Sequence, residues 1–118
     1  MRRLIVGAMA LLASTVPTDA AETPPPAIND LIKMASGDMQ LQNMVFGFGK
    51  GLEAANLKLK AIGRPTLYCA PGDLAIKSDQ YISIVSGYVQ KHPEWGKIDG
   101  RILPEVLVQA MMDTYPCK

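Results

Sequence analysis

The apolar positions of this chain recur at helical spacing over four stretches. Ile28, Leu31, Ile32 and Ala35 form an i, i+3, i+4, i+7 stripe, which predicts a short helix over 28–35 that Ser36, Gly37 and Asp38 interrupt. A longer helix is predicted from Met39 to Ala61, with Leu41, Met44, Val45, Phe48, Leu52, Ala55 and Leu59 on one side and Gln40, Lys50, Glu53, Lys58 and Lys60 mostly on the other. Gly63 suits a left-handed cap after it, and Pro65 bars continuation. The third helix, from Asp79 to His92, has Ser78 as its N-cap and Pro93 as its stop, and repeats Tyr81, Ile84, Val85, Tyr88 and Val89 at helical spacing. The fourth runs from Leu103 to Thr114, tolerates Pro104 in its first turn, and buries Leu103, Val106, Leu107, Ala110 and Met111. The segments TLYCAPGDLAIK and PEWGKIDGR between these helices read as loops. No stretch shows strand-like alternation and no repeat is evident, so the predicted fold is a small all-α domain of four helices.

The first twenty residues follow another pattern. Arg2 and Arg3 precede an apolar run from Leu4 to Val16, then come Pro17 and the small residues Thr18, Ala20 and Ala21, the layout of an export signal cleaved after Ala20. A retained membrane anchor is the competing reading, but the run falls short of the ~20 apolar residues a spanning helix needs. The expected organisation is a signal peptide over 1–20, a stiff proline-rich leader over 21–27, and a domain over 28–118. Without Arg2, Arg3 and Asp19, the twelve basic and eleven acidic residues become ten of each. Such a balance gives no electrostatic reason to bind nucleic acid or an anionic membrane surface.

Two cysteines, Cys69 and Cys117, lie in the part expected to be exported. In an oxidising compartment they favour one intramolecular disulfide over free thiols or an intermolecular bond. The third and fourth helices, about 20 Å each and joined by a short loop, are expected to lie antiparallel. Cys69, before the third, and Cys117, after the fourth, then fall at the same end of one hairpin. The bond closes a loop worth about 4 kcal/mol in the chain-entropy model, a large share of the stability of so small a domain.

Residues that might carry chemistry are few. FGFGKG, residues 46–51, lacks the GxxxxGK[ST] spacing, so Gly47 and Gly51 are read as a smooth helical face that lets another helix approach. His92 and Glu94 invite an acid/base reading, but no nucleophile has an evident partner, and the chain is read as non-enzymatic. Met34, Met39, Met44, Met111 and Met112 are expected as core filler, and a single histidine argues against a metal cluster; no cofactor is implied. Trp95, in the 93–101 loop, either anchors a partner or folds back over the hairpin core.

YCAPGD at 68–73, Gln80, VSGYVQKHPE at 85–94 and AMMDTYPC at 110–117 together resemble the Tai/Rap family of immunity proteins, the periplasmic antidotes to amidase effectors of type VI secretion systems. The resemblance spans about residues 28–118, and GFGKG matches the family's glycine-containing helix less closely. Many relatives carry a second cysteine pair, where this chain has Met34 and either Met44 or Val45. The resemblance implies a small helical periplasmic protein, often a homodimer, that blocks the cleft of a peptidoglycan amidase with a protruding loop. By position PEWGKIDGR corresponds to that loop, with Glu94, Trp95, Lys97 and Asp99 as partner-binding residues. The alternative is a periplasmic helical binding or chaperone-like protein with no toxin partner.

Overall fold

A computed structural model of the protein describes residue 15, residues 23–72 and residues 74–118. The expected signal peptide, apart from Thr15, and the first two residues of the leader lie outside these. Five α-helices follow in chain order, α1 (Ile28–Ala35), α2 (Met39–Ala61), α3 (Ser78–Lys91), α4 (Pro93–Gly96) and α5 (Leu103–Thr114), with a 3-10 turn at Gly100–Ile102 leading into α5. The all-α class holds, and no strand occurs among the described residues. The four-helix count does not hold, because the 93–101 segment coils into α4 and the 3-10 turn where the sequence reads as a loop.

Local chemistry sets the ends of the longer helices. The Asp38 carboxylate caps α2 by accepting from the N–H groups of Gln40 at 2.9 Å and Leu41 at 3.1 Å. Gly63, with φ of 70°, takes the left-handed turn that closes it. At α3 the cap is Lys77, one residue before the predicted Ser78; the Gln80 side chain reaches back to accept from the Lys77 N–H at 2.7 Å. Proline occupies the first turn of both α4 and α5, where its missing N–H costs no helical bond.

The core is built on α3 and α5. Tyr81, Val85 and Val89 of α3 face Leu103, Val106, Leu107, Ala110 and Met111 of α5, all buried. The N-terminal half of α2 closes one side through Leu41 and Val45, and α1 closes another through Ile28 and Ala35. The stripe predicted for α5 is buried in full, whereas on α2 Met44 is exposed and Gly49 takes a buried place. Of the five methionines expected as core filler only Met111 is buried; Met34, Met39, Met44 and Met112 are exposed.

The expected hairpin needs a second correction. Lys91 and Asp113, in the last turns of α3 and α5, form an ion pair at 2.9 Å. Straight antiparallel helices would hold those turns nearly a helix length apart, about 18 Å for α5. The last turns of α3 and α5 therefore lie together, and the two helices are not a straight antiparallel pair.

The disulfide joins Cys69 to Cys117 with Cα atoms 4.9 Å apart. It does not attach to the start of α3. Cys69 lies in the 64–77 connection, which runs beside α2 before α3 begins, and the Cys69 N–H donates to the Tyr115 carbonyl at 2.8 Å. The bond thus staples the C-terminus to the strip of chain lying on α2.

Candidate functional site

The residues singled out for partner binding occupy a ridge, residues 92–101, between α3 and α5. His92 ends α3 and Pro93 starts the single turn of α4, so the chain reverses within a few residues. The Trp95 side chain lies back on the core: it is half-buried, with its ring centroid 6.4 Å from that of Tyr88. Tyr88 in turn stacks against His92 at 4.5 Å. Of the two readings of Trp95, the position fits the one that folds it over the core, with an edge left at the surface.

Glu94 and Lys97 point to solvent on either side of Trp95. The Glu94 carboxylate is 3.8 Å from His92 Nδ1, a loose contact between an exposed carboxylate and a half-buried imidazole, and His92's aromatic stacking on Tyr88 accounts for its place. Asp99 is engaged within the ridge. One carboxylate oxygen accepts from the Arg101 N–H at 2.9 Å, capping the 3-10 turn, and the other accepts from Arg101 Nε at 2.9 Å and Nη2 at 2.6 Å. This guanidinium fork holds the Asp99 carboxyl below the usual carboxylate range, first through its side-chain hydrogen bonds and then through the backbone bond. Arg101 itself is largely exposed and completes a surface of alternating charge with Glu94, Lys97 and Asp99.

The ridge is strapped to the N-terminal segment. The Ile28 N–H donates to the Ile98 carbonyl at 3.0 Å, and the Gly100 N–H donates to the Pro26 carbonyl at 2.7 Å, making an isolated antiparallel bridge between Ala27 and Asp99. Two glycines permit the close approach. A Cβ at Gly96 would overlap the Asn29 side chain, and one at Gly100 would overlap Leu31 and the Pro26 carbonyl. The end of the leader is therefore a structural part of the site, and the loop expected to protrude is a short, tied ridge.

The four predicted site residues share this ridge, but only Glu94 and Lys97 have their charges free toward solvent. Sequence reasoning left out Arg101 and Ile98, both exposed on the same ridge. The Asp-x-Arg spacing of residues 99–101 was the signal for the first. Ile98 has no such signal, because its exposure follows from the backbone bridge to Ile28.

Among the described residues no group of three or more His, Cys, Asp or Glu side chains is arranged to hold a metal ion. No described helix is long and apolar enough to cross a membrane. The chain matches no protein-family model, no curated protein and no solved structure.

Proposed function

We propose that this chain is an exported immunity protein that acts in the periplasm, binding a peptidoglycan amidase effector of a type VI secretion system and inhibiting it. The observation that carries this reading is where the motifs of the resemblance sit in the fold. Cys69 and Cys117 bond, Gln80 caps α3, and His92-Pro93 makes the sharp reversal into the ridge. Each motif occupies a joint of the scaffold, which supports treating the pattern as that of one fold type presenting a ridge. The ridge then supplies the contact chemistry, with Lys97 and Arg101 as cations, Glu94 as an anion, and Ile98 and the Trp95 edge as apolar anchors. Inhibition needs no reacting group: a rigid ridge seated in an enzyme's cleft excludes substrate by occupying it. Homodimerisation belongs to the same proposal. The outward face of α2, with Gly47, Gly51, Ala54 and Ala55 exposed, is smooth enough for a second copy of the helix.

Co-purification of the oxidised protein with candidate exported amidases tests the function, and a neighbouring gene for an NlpC/P60-like enzyme is the first candidate to try. Stable complex formation with loss of amidase activity is expected. Failure to bind or inhibit any such enzyme would favour the binding or chaperone-like alternative. For the ridge itself, the double change Glu94→Lys, Lys97→Glu alters only exposed side chains and should weaken the complex by about tenfold or more, roughly 1.4 kcal/mol. An affinity within twofold of the parent would remove the ridge from the interface.

A further inference from the structure

The second half of α2 holds no buried residue, and only Leu52 there packs partly against the core. The buried residues of α2, Leu41, Val45 and Gly49, all lie in the first half. A 23-residue helix is about 34 Å long, against about 21 Å for the 14-residue α3. The last turns of α2 run past the packed helices, and the 64–76 connection leans back along them. That connection is held in place at several points. Asn56, on α2, accepts from the Leu67 N–H at 2.7 Å and donates to the Tyr68 carbonyl at 2.8 Å. The disulfide and the Cys69-to-Tyr115 backbone bond secure its far side. Between helix and connection lies an open groove of about 510 Å³. Sites that hold ligands commonly measure about 300–1,000 Å³.

The chemistry of this groove is specific in two ways. Its walls are apolar in part, with Leu57, Pro65, Leu74 and Ile76 beside the polar Asn56 and Thr66, and Leu57 is 61% exposed. Ile62 and Leu67, 55% and 38% exposed, extend the apolar surface beside it. Grouped exposure of large apolar side chains marks an interaction surface, whereas the same residues scattered singly would not. Among the described residues its rim is cationic. Lys60 and Arg64 line it with no carboxylate partner among the described residues, and the one acidic lining residue described, Glu53, is paired with Lys50 at 2.8 Å. Lys60 lies in the last turn of α2 and complements the helix dipole there. Arg64 lies beyond the Gly63 cap, so that explanation does not extend to it.

We infer that this groove binds an extended acidic peptide segment of a partner protein, with apolar side chains against Leu57, Pro65 and Leu74 and carboxylates at Lys60 and Arg64. The groove shares no residue with the 92–101 ridge, so this inference stands or falls separately from the proposed function.

Fluorescence anisotropy of the oxidised protein with a labelled hexapeptide of alternating leucine and aspartate provides the test, with the leucine–lysine counterpart as control. Saturable binding of the acidic peptide is expected, about tenfold tighter than the basic one and weakening as salt rises. The double variant Lys60→Glu, Arg64→Glu and the single variant Leu57→Asp should each weaken it by about tenfold. All three side chains are exposed, so circular dichroism should stay that of the parent. Equal binding of the two peptides, no binding of either, or an affinity indifferent to these variants would overturn the inference. Saturable binding of octanoate at these residues without binding of the peptide would also overturn it, and would give the groove to a small amphipathic anion.

Discussion

Gly49 is the residue on which the packing of α2 against α3 turns. Tyr81 is wholly buried, and a Cβ at Gly49 would clash with the Cζ end of its ring, whereas Gly47 and Gly51 have open space where a side chain would go. The close approach read from the sequence is real, but it occurs at the glycine between the two that were picked out. Gly49→Ala should destabilise the domain by about 1–3 kcal/mol, because the Tyr81 ring has to move in a packed core. Gly47→Ala and Gly51→Ala should each stabilise it by up to about 1 kcal/mol through helix propensity alone. Urea denaturation of the three variants decides the matter, and equal stability of the Gly49 and Gly47 variants would count against this packing. Tyr81 also shows the limit of reading burial from periodicity. Its place on the core stripe was legible, but not that its hydroxyl is buried with no hydrogen-bond partner among the described residues.

At the scale of elements, the 64–77 connection and α3 share a phenol cluster with α5. Burial, then the nearby Tyr81, Glu53 and Tyr115, pushes the Tyr68 phenol from 10.0 up to about 12. Burial, then Glu53 and Tyr115, raises that of Tyr81 as well. A phenol whose folded value lies above its unfolded one stabilises the fold fully below the unfolded value near 10, and that contribution is lost as pH rises through the folded value. An alkaline transition is therefore expected between about pH 10 and 12, with tyrosinate absorbance rising as helical circular dichroism falls. Tyr68→Phe should move the transition to higher pH; a transition unchanged in that variant would show that Tyr68 does not set it. The elements also show how much local pattern could tell. The stripe of α5 was legible to the residue, since each of its predicted positions is buried in the core. The 93–101 segment was not, because α4 is a single turn, too short for periodicity to register, and its shape depends on bonds to residues 26–28 far away in the chain.

For the molecule as a whole, stability rests on a modest core and one covalent closure. Residues 69 and 117 are 48 apart in sequence, so their bond stabilises by about 4 kcal/mol in the chain-entropy model. The double change Cys69→Ser, Cys117→Ser should lower Tm by roughly 15–30 °C, taking about 4–8 °C per kcal/mol for a domain of this size. Thermal melts by circular dichroism read this directly, and an unchanged Tm would show that the remaining contacts hold the connection to the C-terminus without the bond. Because that connection forms one wall of the α2 groove, its loss should also loosen the groove, while α1, held by the Pro26–Ile28 strap, is expected to keep its protection from hydrogen exchange.

Taken alone, the sequence determined the helical class, the ranges of the four longer helices to within a residue, the buried stripe of α5, and the pairing of its two cysteines. These follow from local periodicity, from proline and glycine as chain breakers, and from there being a single way to pair two thiols within one chain. Tertiary structure alone decided that the last turns of α3 and α5 meet, that Gly49 is the point of close approach, that Trp95 lies back on the core, and that the leader straps the ridge. It alone decided, too, that the end of α2 stands clear and forms a groove. Each of these depends on which surfaces distant in sequence come to face one another, and the hydrophobic effect that brings them together is non-directional, so neither crossing angle nor partner is written in a single segment.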